Sequence, residues 1–280
     1  MSKNFYLEAK EKRAAIFSDT QKFYQENSDL KNACAKSLEG TKCYKAEEKL
    51  CTEKNRFSEK VKIVVSKKRS FEAASFYCKA ENSPKVLVLN FANSFHPGGG
   101  VVRGSGAQEE CLCRTSTLYS SINSKKMFSE FYLPHRESED SLATDDVIFT
   151  PNVTVFKSDT DFPELLPKEK WFSVDVITCA APNISYGYYD LDSINDEILF
   201  DLQKSRVKRI LEVALLNSAD VLILGAFGCG AFGNPPEIVA KAFKTVIEEF
   251  EYSFRTIEFA VYCSARDAEN FTTFNSVFCR

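Results

Sequence analysis

Residues 96–110, HPGGGVVRGSGAQEE, hold five glycines and close on Gln108, Glu109 and Glu110. A carboxyl group beside such a loop can do general acid–base work, donating a proton to a leaving group and then taking one back from water. Glycine is costly to order, so the run Gly98-Gly99-Gly100 implies that something approaches the backbone closely or that φ turns positive. Neighbouring residues on a helix do not face one another, so Glu109 and Glu110 are expected to serve different tasks. The plain alternative is a solvated first helical turn whose acids complement the helix dipole. That reading suits Glu248-Glu249 better than a pair placed directly after a glycine loop.

A second glycine loop, GAFGCGAFGN, spans residues 225–234. It lies between an apolar run and a helical pattern, the junction at which backbone N–H groups face anions. Gly228, Gly230 and Gly233 spell the dinucleotide pattern G-x-G-x-x-G, but that motif belongs at the start of a βαβ unit with an acid ending the next strand. Here it falls late in the chain and the next strand ends at Tyr262-Cys263, so nicotinamide or flavin binding is not expected. Glycines serving only tight turns remain an alternative for either loop. Two such loops after two buried strands imply a long ligand, such as a pyrophosphate, clasped between them. An acid pair at its end points to chemistry on a sugar.

The rest of the chain sets limits. Its 280 residues are 44% apolar and 27% charged, enough for a substantial core. Its 36 basic and 39 acidic residues give a net charge of −3, so no overall field draws it to nucleic acid or anionic membrane. An anionic ligand must be held by local geometry. The opening MSKNFYLEAKEKRAAIF has no apolar core of a secretory signal, and no apolar run is long enough to span a bilayer. An intracellular protein, cytoplasmic or nuclear, is therefore expected, with its ten cysteines reduced. No C-x-x-C pair occurs, and the histidines are His96 and His135 alone, so no metal site is expected.

The elements that position these residues follow from periodicity. Residues 5–55 read as helical, with Ala15, Ile16, Phe23 and Leu30 at roughly helical intervals and Gly40 as a stop. KVKIVVSKK (60–68) reads as a strand and SFEAASFYCKAEN as a helix, while KVLVLNFA (85–92) is an apolar run suited to a strand buried on both faces. A helix from Ser105 onward presents Leu112, Thr115, Leu118, Tyr119 and Ile122 on one face, with Gln108, Glu109 and Glu110 in its first turn. Residues 123–150 read as a polar surface excursion. Strands are expected at 152–157, 172–181, 220–227 and 256–263, the last ending the core, and a helix through SRVKRILEVALLNS. Another helix follows Asn234, with Asn234 as its cap, Pro235 at its first position and Glu237 at capping-box spacing. Strands alternating with helices give a three-layer α/β architecture.

The spacing from Gly98-Gly99-Gly100 to Gln108-Glu109-Glu110 resembles the GGG-x(6–8)-QEE signature of poly(ADP-ribose) glycohydrolases (PARG). VLNFANSFHPGGG before it, LCRTSTLY after it, DVITCAAPN at 175–183 and LILGAFGCGAFGN resemble the microbial branch of that family, as does the N-terminal RAAIFSDTQKFYQ. Residues 123–170 fall outside the resemblance. Ala226 departs from the asparagine usual in the animal enzymes and agrees with the microbial branch. The resemblance implies an α/β/α macrodomain with a mixed central sheet at 81–280 and an N-terminal helical extension at 1–80. It implies an enzyme, a glycosidase that hydrolyses the ribose–ribose O-glycosidic bond and so reverses ADP-ribosylation, without cofactor or metal. Its partners would be poly(ADP-ribose) or ADP-ribosylated protein, its product ADP-ribose, and its state a monomer. Residue by residue, Asn93 would bind the ribose beside the scissile bond and Gly98, Gly99 and Gly100 would let that ribose sit on the backbone. Gln108 and Glu109 would orient substrate, and Glu110 would be the acid/base. Gly228, Cys229, Gly230 and Ala231 would wrap the pyrophosphate, with Phe232 near the ribose. The alternatives are removal of single ADP-ribose units from protein or nucleic acid, and binding of ADP-ribose without cleavage. The intact acid pair weighs against binding alone.

Overall fold

The structure, a computed structural model, describes residues 3–80, 84–185, 194–263 and 268–279. Apolar residues too closely spaced for an amphipathic sheet form the core strands. These are β3 (Val86–Phe91), β5 (Phe172–Cys179), β6 (Val221–Leu224) and β7 (Thr256–Ala260). Leu87 and Leu89 point into one hydrophobic cluster and Val86 and Val88 into another, so each face of the sheet needs its own helices. One face is covered by α8 (Asp196–Leu216), α9 (Pro236–Ile247) and α10 (Glu269–Phe278). The other is covered by α3 (Ser70–Cys78), α4 (Gln108–Thr115) and α5 (Leu118–Ile122), with Phe17 of α1 (Lys3–Glu26). The three-layer α/β/α arrangement expected from the sequence is present.

The sheet has seven strands in the order β1-β4-β5-β3-β6-β7-β2, where β1 is Lys42–Tyr44, β2 Lys62–Ser66 and β4 Val147–Val155. It is mixed: β5, β3, β6, β7 and β2 are parallel neighbours, while β4 runs antiparallel to both β5 and β1. The parallel order brings the carboxyl ends of β3 and β6 side by side, and each leads into one of the glycine loops.

Several expectations change. The helical N-terminus breaks at Asn27, whose Oδ1 accepts from the N–H groups of Asp29 and Leu30 at 3.1 Å and caps α2 (Ser28–Gly40). Helix ends at Gly40, because Lys42–Tyr44 and Lys62–Ser66 become the two edge strands of the same sheet. A helical extension reaching residue 80 is therefore corrected, and its boundary abuts residues 81–83, which lie outside those described. The helix from Ser105 is two helices, α4 and α5, separated at Ser116-Thr117, where Ser116 bridges to β4. Strand β4 starts at Val147 because Pro151 does not stop it. A bulge between Thr150 and Val153, with Asn152 at φ +53°, absorbs the missing donor. Helix α10 follows β7, its Phe274 and Phe278 rings 5.3 and 4.4 Å from that of Phe259. Packing rather than periodicity fixes it.

Residues 123–150 are not a surface excursion. α6 (Lys125–Met127), a π-helical turn (Phe128–Tyr132) and α7 (Leu133–Ser138) bury Met127, Phe131 and Tyr132 against Ile148. The connection that follows is pinned by Arg206 of α8, itself 1% exposed. Its Nε donates to Asp145 at 2.6 Å, Nη1 to Ala180 O, and Nη2 to Leu142 O and Ala143 O at 3.3 and 3.4 Å. Arg206→Met keeps the bulk and strands those acceptors. Urea denaturation should show a loss of about 3 kcal/mol, typical of breaking a buried charge pair. A loss below about 1 kcal/mol, the scale of a surface pair, would mean that the connection stands without it.

Candidate active site

Helix α4 is fastened to β3 by a side-chain amide. The last β3–β6 pair is Val88–Ile223, which leaves Leu89 O and Phe91 N on that side without a strand partner. Gln108 supplies one: its Oε1 accepts from Phe91 N at 2.9 Å, and its Nε2 donates to Leu89 O at 2.7 Å and to Ser70 Oγ at 3.0 Å. The helix thereby opens at the end of the sheet, with Glu109 and Glu110 in its first turn. Favourable interaction with the helix dipole accompanies that position.

Both acids are buried, Glu109 to 3% and Glu110 to 7% exposure. Glu109 Oε2 accepts from Asn93 N at 2.8 Å and its Oε1 from Asn90 Nδ2 at 3.3 Å. Glu110 Oε1 accepts from Gly100 N at 2.8 Å, and its Oε2 is buried without a partner. The two carboxyls converge on Gly99. A Cβ there would stand 2.6 Å from Glu110 Oε1 and 3.0 Å from Glu109 Oε2, and φ is +58°. Only glycine meets both conditions, which is why the triple glycine precedes the acids. Burial pushes the Glu109 carboxyl up to about 8, and the neighbouring Glu110 adds to the shift. The Asn93 and Asn90 donors oppose it without cancelling it.

The second loop follows β6. Gly228 takes φ +78°, and a Cβ there would lie 2.6 Å from Ala181 Cβ and 2.8 Å from Asn234 Nδ2. Asn234 is not the cap of α9, which begins at Pro236 with Pro235 in the cap position and no side-chain bond. It is buried within the loop instead. Its Nδ2 donates to Pro182 O at 2.7 Å and Gly228 O at 3.1 Å, while its Oδ1 accepts from Gln203 Nε2 at 2.8 Å. The loop's interior carbonyls claimed the residue that its sequence position offered to the helix.

Between the loops lies a cleft of about 470 Å³. Of the residues expected from the sequence, Asn93, Gly99, Gly100, Gln108, Glu109, Glu110, Gly228, Gly230, Ala231 and Phe232 line it. Gly98 and Cys229 do not. Gly98 packs on the Tyr119 ring at φ +69°, and the Cys229 thiol lies 3.8 Å from Phe227 O. Sequence reasoning missed Arg69, Asp159, Asp161, Tyr262 and Asn270, which also line it. The Arg69 guanidinium stands 4.1 Å from the Tyr262 ring centroid and pairs with Asp161. Asp159 Oδ2 accepts from Phe71 N at 2.9 Å, its Oδ1 is buried without a partner, and burial raises its carboxyl. The pattern Asp-x-Asp at 159–161 was the available signal, in a stretch without recognisable periodicity. Among the described residues, no group of three or more His, Cys, Asp or Glu side chains is placed to hold a metal ion.

Buried acids at the carboxyl edge of a mixed sheet, facing a glycine loop across a cleft, define a macrodomain-type glycosidase. The chain belongs to the microbial-type PARG family, whose catalytic domain it matches over residues 9–158. Poly(ADP-ribose) glycohydrolase from Thermomonospora curvata is 29% identical and superposes with a TM-score of 0.83, over 95% of this chain and 99% of that one. The same enzyme bound to the inhibitor ADP-HPD gives a TM-score of 0.80 at 29% identity, covering 94% of this chain and 98% of that one. The Deinococcus radiodurans enzyme in complex with ADP-ribose gives 0.76 at 30% identity, over 87% of this chain and 96% of that one. No curated relative matches this chain in sequence.

The raised Glu109 carboxyl has a thermodynamic signature. The folded state binds its proton more tightly than the unfolded chain does. Its contribution is therefore fully present below about pH 4.5, the ordinary value, and is lost as pH rises through about 8. Melting temperatures between pH 5 and 9 should fall more steeply for the wild type than for Glu109→Gln. Parallel curves would show that Glu109 does not titrate in this range.

Proposed function

We propose that this cleft binds poly(ADP-ribose), hydrolyses its ribose–ribose bond and releases ADP-ribose, with Glu110 transferring the proton. The observation that carries the reading is the state of the Glu110 carboxyl. One oxygen is locked by Gly100 N, and the other is buried without a partner in a residue that lines the cleft. A buried oxygen is left unsatisfied at a cost of roughly 1–3 kcal/mol, which a hydrogen-bonding group entering from the cleft would relieve.

In this reading Glu110 gives its proton to the oxygen of the departing chain as the C–O bond breaks, and the ribose passes through an oxocarbenium-like state. The resulting carboxylate then takes a proton from the water that adds to the anomeric carbon, which restores Glu110. Glu109, protonated below about pH 8, keeps a hydrogen to donate to a ribose hydroxyl while Asn93 N and Asn90 hold its position. Gln108 orients substrate indirectly, because both ends of its amide are already bound to protein. The pyrophosphate lies against residues 228–232. A Cβ added to Gly230 would meet nothing within 4 Å, so the bare backbone at this position leaves room for a ligand rather than for the fold. The relatives solved with ADP-ribose and with ADP-HPD support ADP-ribose as the ligand. Ten free thiols fit an intracellular setting.

Two variants test this. Glu110→Gln preserves shape and removes the exchangeable proton, so single-turnover release of ADP-ribose from polymer should fall by roughly 10²–10⁴-fold. ADP-ribose affinity should change by less than about tenfold, the 1.4 kcal/mol scale of one modest contact. Retained turnover would remove Glu110 from the mechanism. Gly230→Val should melt like the wild type in buffer but lose the stabilisation that millimolar ADP-ribose gives the native protein. An undiminished shift would place the pyrophosphate elsewhere.

A further inference from the structure

The loop that brings Gly99 to the two acids carries positive charge on its outer side. His96 and Arg103 are exposed and bracket the triple glycine: Gly99 N donates to His96 O at 2.9 Å and Arg103 N to Gly100 O at 3.0 Å. Arg136 of α7 reaches the same loop, donating from Nε to Phe95 O at 2.6 Å with its guanidinium 5.0 Å from the Phe128 ring centroid, and it too is exposed. The three groups share one field. Partial burial and the charges of Arg136 and Arg103 hold the His96 ring below its usual value.

These charges are not neutralised locally. Among the described residues, the arginines in ion pairs are Arg56, Arg69 and Arg206, and neither Arg103 nor Arg136 is among them. In a chain of net charge −3, these two exposed guanidiniums without an ion pair make a positive patch beside the loop that touches the acids. None of the three residues lines the cleft itself, so they are not needed to hold the ADP-ribose unit within it.

The position relative to Glu110 gives them a ligand. The bond to be broken lies at Glu110, and the unit to be released extends from there towards residues 228–232. The remainder of the polymer extends from Glu110 away from residues 228–232, and the 96–103 loop, whose Gly100 N donates to Glu110, borders that end of the cleft. Each further unit of that polymer carries a pyrophosphate, a dianion that guanidinium groups bind with paired hydrogen bonds. We propose that Arg103 and Arg136, with His96 between them in the same field, form a docking surface for the pyrophosphate of the departing chain. This rests on the reading of the cleft given under Proposed function. It makes the protein select polymer over substrates whose leaving group is small and neutral.

The test compares two substrates that share the same ADP-ribose unit: poly(ADP-ribose), and ADP-ribose carrying a nitrophenyl leaving group at the same anomeric carbon. Single-turnover rates and KM are measured for the wild type, Arg103→Ala, Arg103→Glu and Arg136→Gln at low and at physiological salt. KM for polymer should rise roughly threefold to tenfold in each neutral variant and further in Arg103→Glu, with a weaker salt dependence than the wild type shows. Turnover of the nitrophenyl substrate should stay within about twofold of the wild type, the reproducibility expected where no contact is lost. Equal losses on both substrates would mean that the substitutions distort the Gly99 loop, and no loss on either would make the patch a solvated face. Both results overturn the docking surface while leaving the site's chemistry standing. A wild type inactive on both substrates would remove the reading of the cleft, and the docking surface with it.

Discussion

Everything in this site depends on a shortage of space at Gly99. Two buried carboxyl groups from consecutive residues meet a backbone turn there, and nothing larger than a hydrogen fits between them at 2.6 and 3.0 Å. Burying two acids together is unfavourable unless each is given a donor. Asn93 N and Gly100 N supply those donors from either side of the same loop. The glycine run is thus the condition under which the acid pair can exist as well as the surface on which a sugar can rest. The two carboxyls differ because their environments differ. Glu109 has both oxygens engaged, whereas Glu110 has one oxygen left over.

The sheet supplies the rest by strand order. β3 and β6 are hydrogen-bonded parallel neighbours. The loop that follows β3 holds the donors for the acids, and the loop that follows β6 forms the opposite wall, so chemistry and anchoring share one crevice at the carboxyl edge. Asn234 makes the second loop a closed unit by bonding to its own carbonyls and to Pro182 in the segment after β5. The same strand order places Tyr262, after β7, and Ala181, after β5, at the margins of the cleft.

What was legible in the sequence divides along physical lines. Buried parallel strands announce themselves as apolar runs, and β3, β6 and β7 were found that way. The glycine loops and the acid pair were legible because glycine and paired carboxylates at that spacing have few other uses. Elements whose identity is set by partners far away in sequence were not. β1 is three residues at an edge, α10 is an aromatic, Thr- and Asn-bearing stretch held by Phe259, and β4 runs through a proline that looks like a stop. Asn234 carried the right residue type for a helix cap and found better partners within the loop. Arg69 and Asp159 come from separate parts of the chain and meet only in the folded cleft, where no local pattern marks them.

The amide of Gln108 has one more consequence. Because it occupies the hydrogen-bonding places that a strand would fill beside Leu89 and Phe91, the start of α4 is in effect one more rung of the sheet. The backbone that carries the acids is therefore tied directly to the core. Whatever adjustment the cleft makes when it fills falls more easily to the opposite wall, at the turn around Gly230, where a Cβ would meet nothing within 4 Å. The catalytic side is the anvil of this site, and movement comes more easily to the side that grips.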